Sequence, residues 1–553
     1  MGYKYQLTLN NLLRYVNYVF SDVPIVYRPP HGISYRSTYG EEYRRILKLA
    51  DGLRKLGIEP GDRVASLDWN TIYHWDLYWA VPGIGAALHT VNVRLAPEDI
   101  AYTINQAGDK MLIYHRDFAP LVEKLKPALK QVKYYVQISD GQGSVGKDPD
   151  IEDVIKSGEE RELPELSEDQ VATVLYTSGT TGRPKGAYFT HRQLVLHTLS
   201  VALAIVGFRG LSRGDCAEVS GEPCATLYLV PMFHVHAWGL PWVYSVVGWK
   251  QVLPGRFDYG HILRLIVEEK VKAMAGVPTI LYMLVTHPDL NKYISEIKRL
   301  APIYVVGGAA LPKELAKKAS EAGFVPRSGY GMTETAPVVS LGFLRPTEKW
   351  PEDPERLYDL ITMTGLPNPL SEFAVFDESD KPVPRDCRTA GELALRAPWI
   401  TPEYIGDPEK TRTAWRNGWF HTGDAAVWCP DGRIKIVDRL KDVIKSGGEW
   451  ISSLQLEDLI MTHPAVGIAA VVGLPHEKWG ERPVAFIVPK PNAAVTPEDI
   501  TSHLLKFVEA GKIPKWWLPD KVVIVNDLPM TGTGKIDKKA LREKYRDLLR
   551  QSI

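Results

Sequence analysis

The sequence predicts an α/β protein with mostly parallel sheets, divided into more than one domain, on three observations. The chain has 553 residues, more than a single hydrophobic core usually organises. Its first half alternates short apolar, strand-like runs with segments of helical spacing, an order that sets strands side by side and gathers ligands at their carboxyl ends. From Trp419 the pattern changes to a hairpin and then to a charged run, the kind of break that separates domains.

In chain order, residues 43–56 carry apolar side chains near helical spacing and stop at Gly57, after which Pro60-Gly-Asp62 makes a turn. Residues 63–67 read as a strand, as do 110–114, 134–138, 171–176, 227–230, 273–276 and 303–306, with helical patterns between several of them. Residues 140–149, rich in Gly, Asp and Ser, suit a surface loop. Trp419-Phe-His-Thr-Gly-Asp424 leads through Val427 and Trp428 to the turn Pro430-Asp-Gly432 and a strand at 433–437, together a hairpin. Asp438-Arg-Leu-Lys-Asp442 then interrupts the apolar pattern with charge. This places a domain boundary near 438, with a larger unit over 1–437 and a smaller α/β unit over 438–553.

The composition is that of a globular protein, 45% hydrophobic and 24% charged. Lys plus Arg and Asp plus Glu are 66 each, so charge offers no case for nucleic acid or an anionic membrane, and small-molecule partners are expected. The cysteines Cys216, Cys224, Cys387 and Cys429 form no C-x-x-C pair; buried or idle thiols in a reduced compartment are the expectation. Met1-Gly-Tyr-Lys-Tyr-Gln6 lacks the apolar core of a signal peptide, which points to the cytoplasm. The longest apolar stretch, 227–247, is interrupted by Pro231, His234, His236 and Pro241. That suits a buried pocket wall better than a transmembrane segment.

The chemistry is concentrated first in Tyr176-Thr-Ser-Gly-Thr-Thr-Gly-Arg-Pro-Lys-Gly186. Hydroxyls at Thr177, Ser178, Thr180 and Thr181 can donate to phosphate oxygens, Gly179 and Gly182 let backbone N–H groups approach closely, and Lys185 supplies a cation. Pro184 precedes Lys185 and Gly186 follows it, which is not the Walker arrangement and disfavours a kinase or motor-type site. A loop so rich in hydroxyls could otherwise be merely solvated.

A second run, Ser328-Gly-Tyr-Gly-Met-Thr-Glu334, offers Gly329 and Gly331 for close backbone approach, the Tyr330 ring for stacking a base, the Thr333 hydroxyl, and Glu334 to hold magnesium against phosphate oxygens. Gly307-Gly-Ala-Ala-Leu-Pro312 follows a strand and places Gly308 at a turn. Asp424 and Arg439 stand on either side of the hairpin. The carboxylate can accept from both ribose hydroxyls and the guanidinium can donate to the same sugar, the alternative being a surface ion pair. Pro529-Met-Thr-Gly-Thr-Gly-Lys535 mounts a lysine on a Gly/Thr loop, a flexible carrier for a charge that must enter and leave a site.

In this order, from 176 to 535, the motifs resemble those of the adenylate-forming superfamily, which includes acyl-CoA synthetases, firefly-type luciferases and nonribosomal adenylation domains. The chain is identified as an acyl-CoA synthetase of that superfamily. The resemblance implies a large N-terminal domain of two helix-sandwiched sheets with a small β-barrel-like part, and a small mobile C-terminal α/β domain. It implies ATP and coenzyme A as co-substrates and Mg2+ on Thr177 and Glu334. Departing phosphates would be held by Lys185 and residues 177–182, adenine by the turn at Gly308 and by 328–331, and ribose by Asp424 and Arg439. Lys535 would bridge the carboxylate and the α-phosphate. Lys441 matches the hinge position; Lys441, Lys445 and Trp450 match nucleotide contacts of fatty-acid members, and Gly447 and Gly448 match the pantetheine tunnel. Homodimerisation through the N-terminal domain, common among fatty-acid members, is a further expectation.

The acid is addressed by Val230-Pro-Met-Phe-His-Val-His-Ala-Trp-Gly239. Phe233, Val235 and Trp238 are apolar enough to line an acyl channel, and His234 could shape its carboxylate end, although core packing and a structural histidine would leave the same pattern. The run is similar to that of bacterial and archaeal fatty acyl-CoA synthetases, including a Trp at the position that gates their acyl tunnel. A straight-chain acid of medium to long length is therefore expected. Short, hydroxy and aryl acids are alternatives, as are charging of a carrier protein and a luciferase-like oxygenase.

Overall fold

The computed structural model describes residues 4–177, 183–207, 222–345, 347–447, 449–491, 493–531 and 536–549. Among them the strands form four sheets. A six-stranded sheet runs in the order Tyr134–Ile138, Met111–His115, Arg63–Leu67, Ala87–Thr90, Val171–Thr177, Lys185–Thr190, parallel except for its last pair. A nine-stranded sheet is parallel from Val325–Gly331 through Ile303–Val306, Val271–Gly276, Ala225–Tyr228 and Lys250–Leu253 to Pro24–Tyr27, with antiparallel strands at both edges.

Side-chain alternation divides each sheet between two helical layers. Val64, Met111 and Ile113 face a core shared with the nine-stranded sheet's Ile25 and Tyr27, filled by the helices Tyr39–Lys55, Ile72–Gly83 and His191–Gly207. Their strand neighbours Ala65, Leu67, Leu112 and Tyr114 face outward to the helix Pro97–Ala107, and Val26, Val252 and Met274 face the helices Tyr259–Glu268 and Lys313–Glu321. Both sheets are thus covered on both faces, which is why their strands read as nearly continuous apolar runs.

The expected helix over 43–56 begins earlier, at Tyr39, because Thr38 caps it and Glu41 closes the capping box. The hairpin is present as Trp419–Trp428 and Ile434–Arg439, inside a five-stranded antiparallel sheet that forms the barrel-like part. Its second strand runs through Asp438 and Arg439, because charged residues at a strand end can still complete the ladder. A smaller sheet follows, made of Ile444–Ser446, Glu449–Ile451, Val466–His476, Gly480–Pro489 and Lys521–Ile524, with its own apolar core.

Two expectations from composition meet the structure here. The apolar stretch 227–247 is split into the strand Ala225–Tyr228 and the short helices Val235–Trp238 and Leu240–Val246; among the described residues no helix is long and apolar enough to cross a membrane. The expectation of idle thiols is corrected. Cys387 and Cys429 form a disulfide, with Cα atoms 4.4 Å apart across 42 residues of sequence, and Cys224 is disulfide-bonded too. Sequence spacing could not pair Cys387 with Cys429, because the antiparallel sheet brings them together: the Cys387 N–H donates to the carbonyl of Trp428, beside Cys429.

Candidate functional site

The site residues converge at one end of the two large sheets. Thr177 closes the strand Val171–Thr177 and pairs in register with Lys185, which opens the next strand. Lys185 is half-buried, and its ammonium lies 4.6 Å from the Tyr404 ring centroid, near enough for cation–π attraction. Burial lowers the Lys185 pKa, with Glu334 opposing and Lys410 adding to the shift.

Tyr404, which no sequence motif marked, is the hub of this wall. Its hydroxyl donates to Glu334 Oε1 at 2.7 Å, while Thr401 N–H donates to the Glu334 carbonyl at 2.9 Å and Ile405 N–H to the Gly186 carbonyl at 2.8 Å. Residues 401–405 therefore tie the Lys185 strand to the turn Thr333–Thr335, which carries Thr333 and Glu334, both buried. The other Glu334 oxygen takes no hydrogen bond from a described residue. Among the described residues no group of three or more His, Cys, Asp or Glu could hold a metal. A lone carboxylate suits Mg2+, which keeps waters and borrows substrate phosphates.

Tyr330 and Gly331 end the strand Val325–Gly331. Gly331 is obligatory, since a Cβ there would lie 1.8 Å from the Pro337 carbonyl oxygen. The Tyr330 hydroxyl donates to Asp424 Oδ2 at 2.6 Å, and burial together with the Asp424 carboxylate raises its pKa so far that it remains a donor. Arg439 Nε meets Asp424 Oδ1 at 3.0 Å, its cross-strand partner in the hairpin. Asp424 is buried, so this is more than the surface pair that the sequence left open. Ser328 is buried, with its hydroxyl donating to the Ile361 carbonyl, and Gly308 takes a positive φ of 76° just beyond the strand Ile303–Val306.

The acid-side run adopts an unusual backbone. Val235, His236, Ala237 and Trp238 have φ of 47°, 54°, 48° and 62°, and Gly239 follows at 72°. This is a turn of left-handed helix, disfavoured by about 1–2 kcal/mol per L-residue and held here by burial of all four side chains. Trp238 presses on the backbone beside Gly308: a Cβ on Gly307 would lie 2.8 Å from its Cη2. Val235 and Phe233 are buried, and His234 is half-buried at the start of the turn.

Not every expected residue joins this cluster. Lys441 is exposed, close enough to Asp424 and Arg439 to feel their charges. No hydrogen bond or ion pair recorded among the described residues links Lys445, Gly447 or Trp450 to the cluster; Lys445 and Trp450 face each other on adjacent strands at one edge of the smaller sheet, and Gly447 lies against Trp479. Ser178, Gly179, Thr180, Thr181, Gly182, Gly448 and Lys535 lie outside the described residues.

The AMP-binding enzyme family matches residues 16–405, and its C-terminal domain matches 455–535. The chain is 43% identical to a long-chain-fatty-acid–CoA ligase of Thermus thermophilus, over 98% of this chain and 96% of that one. It is 35% identical to a medium-chain-fatty-acid–CoA ligase of Ectopseudomonas oleovorans, over 99% and 97%. The fold is that of an anthranilate CoA ligase in complex with anthranoyl-AMP, with a TM-score of 0.84, 23% identity and coverage of 100% and 99%. The chain therefore belongs to the AMP-binding enzyme family and is an acyl-CoA synthetase.

Proposed function

We propose that this acyl-CoA synthetase activates a medium- or long-chain fatty acid with ATP and passes it to coenzyme A. The observation that supports it best is the proximity of two half-sites, Lys185, Tyr404 and Glu334 on one side and Tyr330, Asp424 and Arg439 on the other, with Arg439 close enough to Glu334 and Tyr404 for their charges to interact. The first set suits a polyphosphate and the second a nucleoside. Trp238, packed against Gly307 at the edge of the nucleoside side, supports an acyl channel that enters there.

In the first half-reaction a carboxylate oxygen bonds to the α-phosphorus as the bond to the bridging oxygen breaks, and the electron pair leaves with pyrophosphate. Lys185 holds the phosphates, with Ser178, Gly179, Thr180, Thr181 and Gly182 beside it. Lys535 offsets the repulsion between the two reacting anions, so catalysis is mainly positioning and charge. Thr177 and Glu334 would hold Mg2+, with Thr333 beside them; bound there, it would neutralise phosphate charge. Gly308, Ser328, Gly329, Tyr330 and Gly331 would frame adenine, and Asp424 would exchange its Tyr330 and Arg439 contacts for the ribose hydroxyls.

In the second half-reaction the thiol of coenzyme A gives its proton to solvent, sulfur bonds to the acyl carbon, and AMP leaves. For this the unit over 438–553 would turn about Lys441 and withdraw Lys535, placing Gly447 and Gly448 along the thiol's path and Lys445 and Trp450 near the nucleotide. Association into a homodimer through the N-terminal domain is part of the reading.

The test is CoA-dependent AMP formation with saturated acids from acetate to palmitate, beside an aryl and a hydroxy acid. Greatest turnover at medium or long chains is expected; a maximum at another acid would overturn the fatty-acid assignment. With Trp238→Ala, a changed chain-length preference is expected, and an unchanged profile would remove Trp238 from the channel.

A further inference from the structure

Beyond Lys185, on the side of Tyr102, lies a cavity of about 140 Å3 lined by Tyr102, Gln106, Arg183, Lys185, Asp407 and Lys410. Its walls come from three places. Helix Pro97–Ala107 supplies Tyr102 and Gln106, the start of the strand Lys185–Thr190 supplies the first lysine with Arg183 just before it, and residues 405–410 supply the rest. The Ile405 N–H bonded to the Gly186 carbonyl fixes the last wall to the strand.

The charges in this cavity do not cancel. Asp407 is satisfied locally, accepting from the Lys410 backbone N–H at 3.1 Å and pairing with the Lys410 ammonium. No ion pair involving Arg183 or Lys185 is found among the described residues; Arg183 instead sits 4.8 Å from the Tyr102 ring centroid, and Lys185 4.6 Å from that of Tyr404. Two cations resting on aromatic faces, one of them half-buried, leave an unbalanced positive field. Gln106 adds a polar amide to the wall, its oxygen buried and without a hydrogen-bond partner among the described residues. Such a lining recognises a compact polyanion.

We infer that this cavity receives pyrophosphate as it leaves the adenylation reaction, with Arg183 and Lys410 as its contacts and Lys185 shared with the reacting site. The inference rests on the ligase reading above. When the bond from the α-phosphorus to the bridging oxygen breaks, the electron pair stays on pyrophosphate, which then carries a negative charge that the phosphate tail of ATP did not. Cations set beyond Lys185 bind this product more strongly than the tail from which it formed. They draw it off the α-phosphorus and slow the reverse reaction. Inorganic pyrophosphate supplied from solution has the same chemistry and would enter the same cavity as a product inhibitor.

The experiment uses the full chain and the variants Arg183→Ala, Lys410→Ala, their double, and Arg183→Lys with Lys410→Arg. In CoA-dependent AMP formation, the ratio of the inhibition constant of pyrophosphate to the KM for ATP should rise about tenfold in the double alanine variant and recover in the charge-conserving one. A parallel rise in both constants would assign the two cations to bound ATP and overturn the inference, as would no rise in either. Calorimetry with inorganic pyrophosphate and no acid separates this inference from the ligase reading. Binding that weakens in the double alanine variant supports the cavity even if the chain turned over no acid. Equal binding by both proteins overturns it.

Discussion

Tyr404 performs two tasks with one side chain, offering its ring to Lys185 and its hydroxyl to Glu334. Tyr404→Phe separates them, since the ring stays and only the donor is lost. A hydrogen bond to a charged group contributes about 1.5–3 kcal/mol, so kcat/KM for ATP should fall about tenfold or more with the fold unchanged, as read by AMP formation and circular dichroism. If Lys185 holds the phosphates as proposed, it should set the alkaline limb. Because burial lowers its folded-state pKa, the free enzyme loses the cation, and with it kcat/KM, at a pH below that of an ordinary lysine. Bound phosphate restores the charge, so the limb should be weaker in kcat than in kcat/KM. Lys185 and Glu334 were legible in the sequence because hydroxyls, glycines and charge at fixed spacing have few other uses. Tyr404 was not, because its role depends on residues 401–405 returning to Gly186 and Glu334 across more than 65 positions of sequence.

At the scale of elements, the strand that carries Arg439 is fastened to the last helix. Asp438 accepts from Ser453 N at 2.7 Å and Oγ at 2.6 Å; Lys538 donates to the same Oγ at 2.6 Å and meets Glu457 at 2.7 Å, while Arg542 meets Asp442 at 2.7 Å. Lys538 begins the helix Lys538–Lys544, three residues beyond Lys535, so the proposed hinge segment and the base of that loop share one buried network. Lys538→Met should destabilise the C-terminal unit by about 3 kcal/mol at neutral pH, as two buried carboxylates lose their cation. Burial raises the pKa of both Glu457 and Asp438, and removing Lys538 raises them further. The folded state then binds more protons than the unfolded one, so the deficit should shrink as pH falls; urea unfolding at two pH values reads it. Strands at 63–67, 134–138 and 303–306 were readable because two-sided burial leaves an apolar run. Pro24–Tyr27 and Ala87–Thr90, no shorter than 303–306, did not stand out because each follows closely on an apolar helical run, Leu9–Phe20 and Ile72–Gly83. The left-handed turn at 235–238 had no signal at all, since β-branched and aromatic residues disfavour it and only their burial holds it.

Across the whole molecule, the layers follow from alternation within each strand, while the link between Cys387 and Cys429 follows only from the sheet that joins them. Closing a loop of 42 residues restricts the unfolded chain, so replacing both cysteines by serine should lower the unfolding free energy by about 2–4 kcal/mol, read by urea unfolding of the variant and its parent. The loop has a further consequence, because Tyr404, Asp407, Lys410 and Asp424 all lie inside it. Tyr404 and Asp424, one from each side of the site, are therefore carried on a covalent ring. A single cut by a protease within that ring, for example in the exposed stretch around Lys410, would open the circle without releasing either end. Electrophoresis would show an intact chain until the sample was reduced, when it would separate into two fragments.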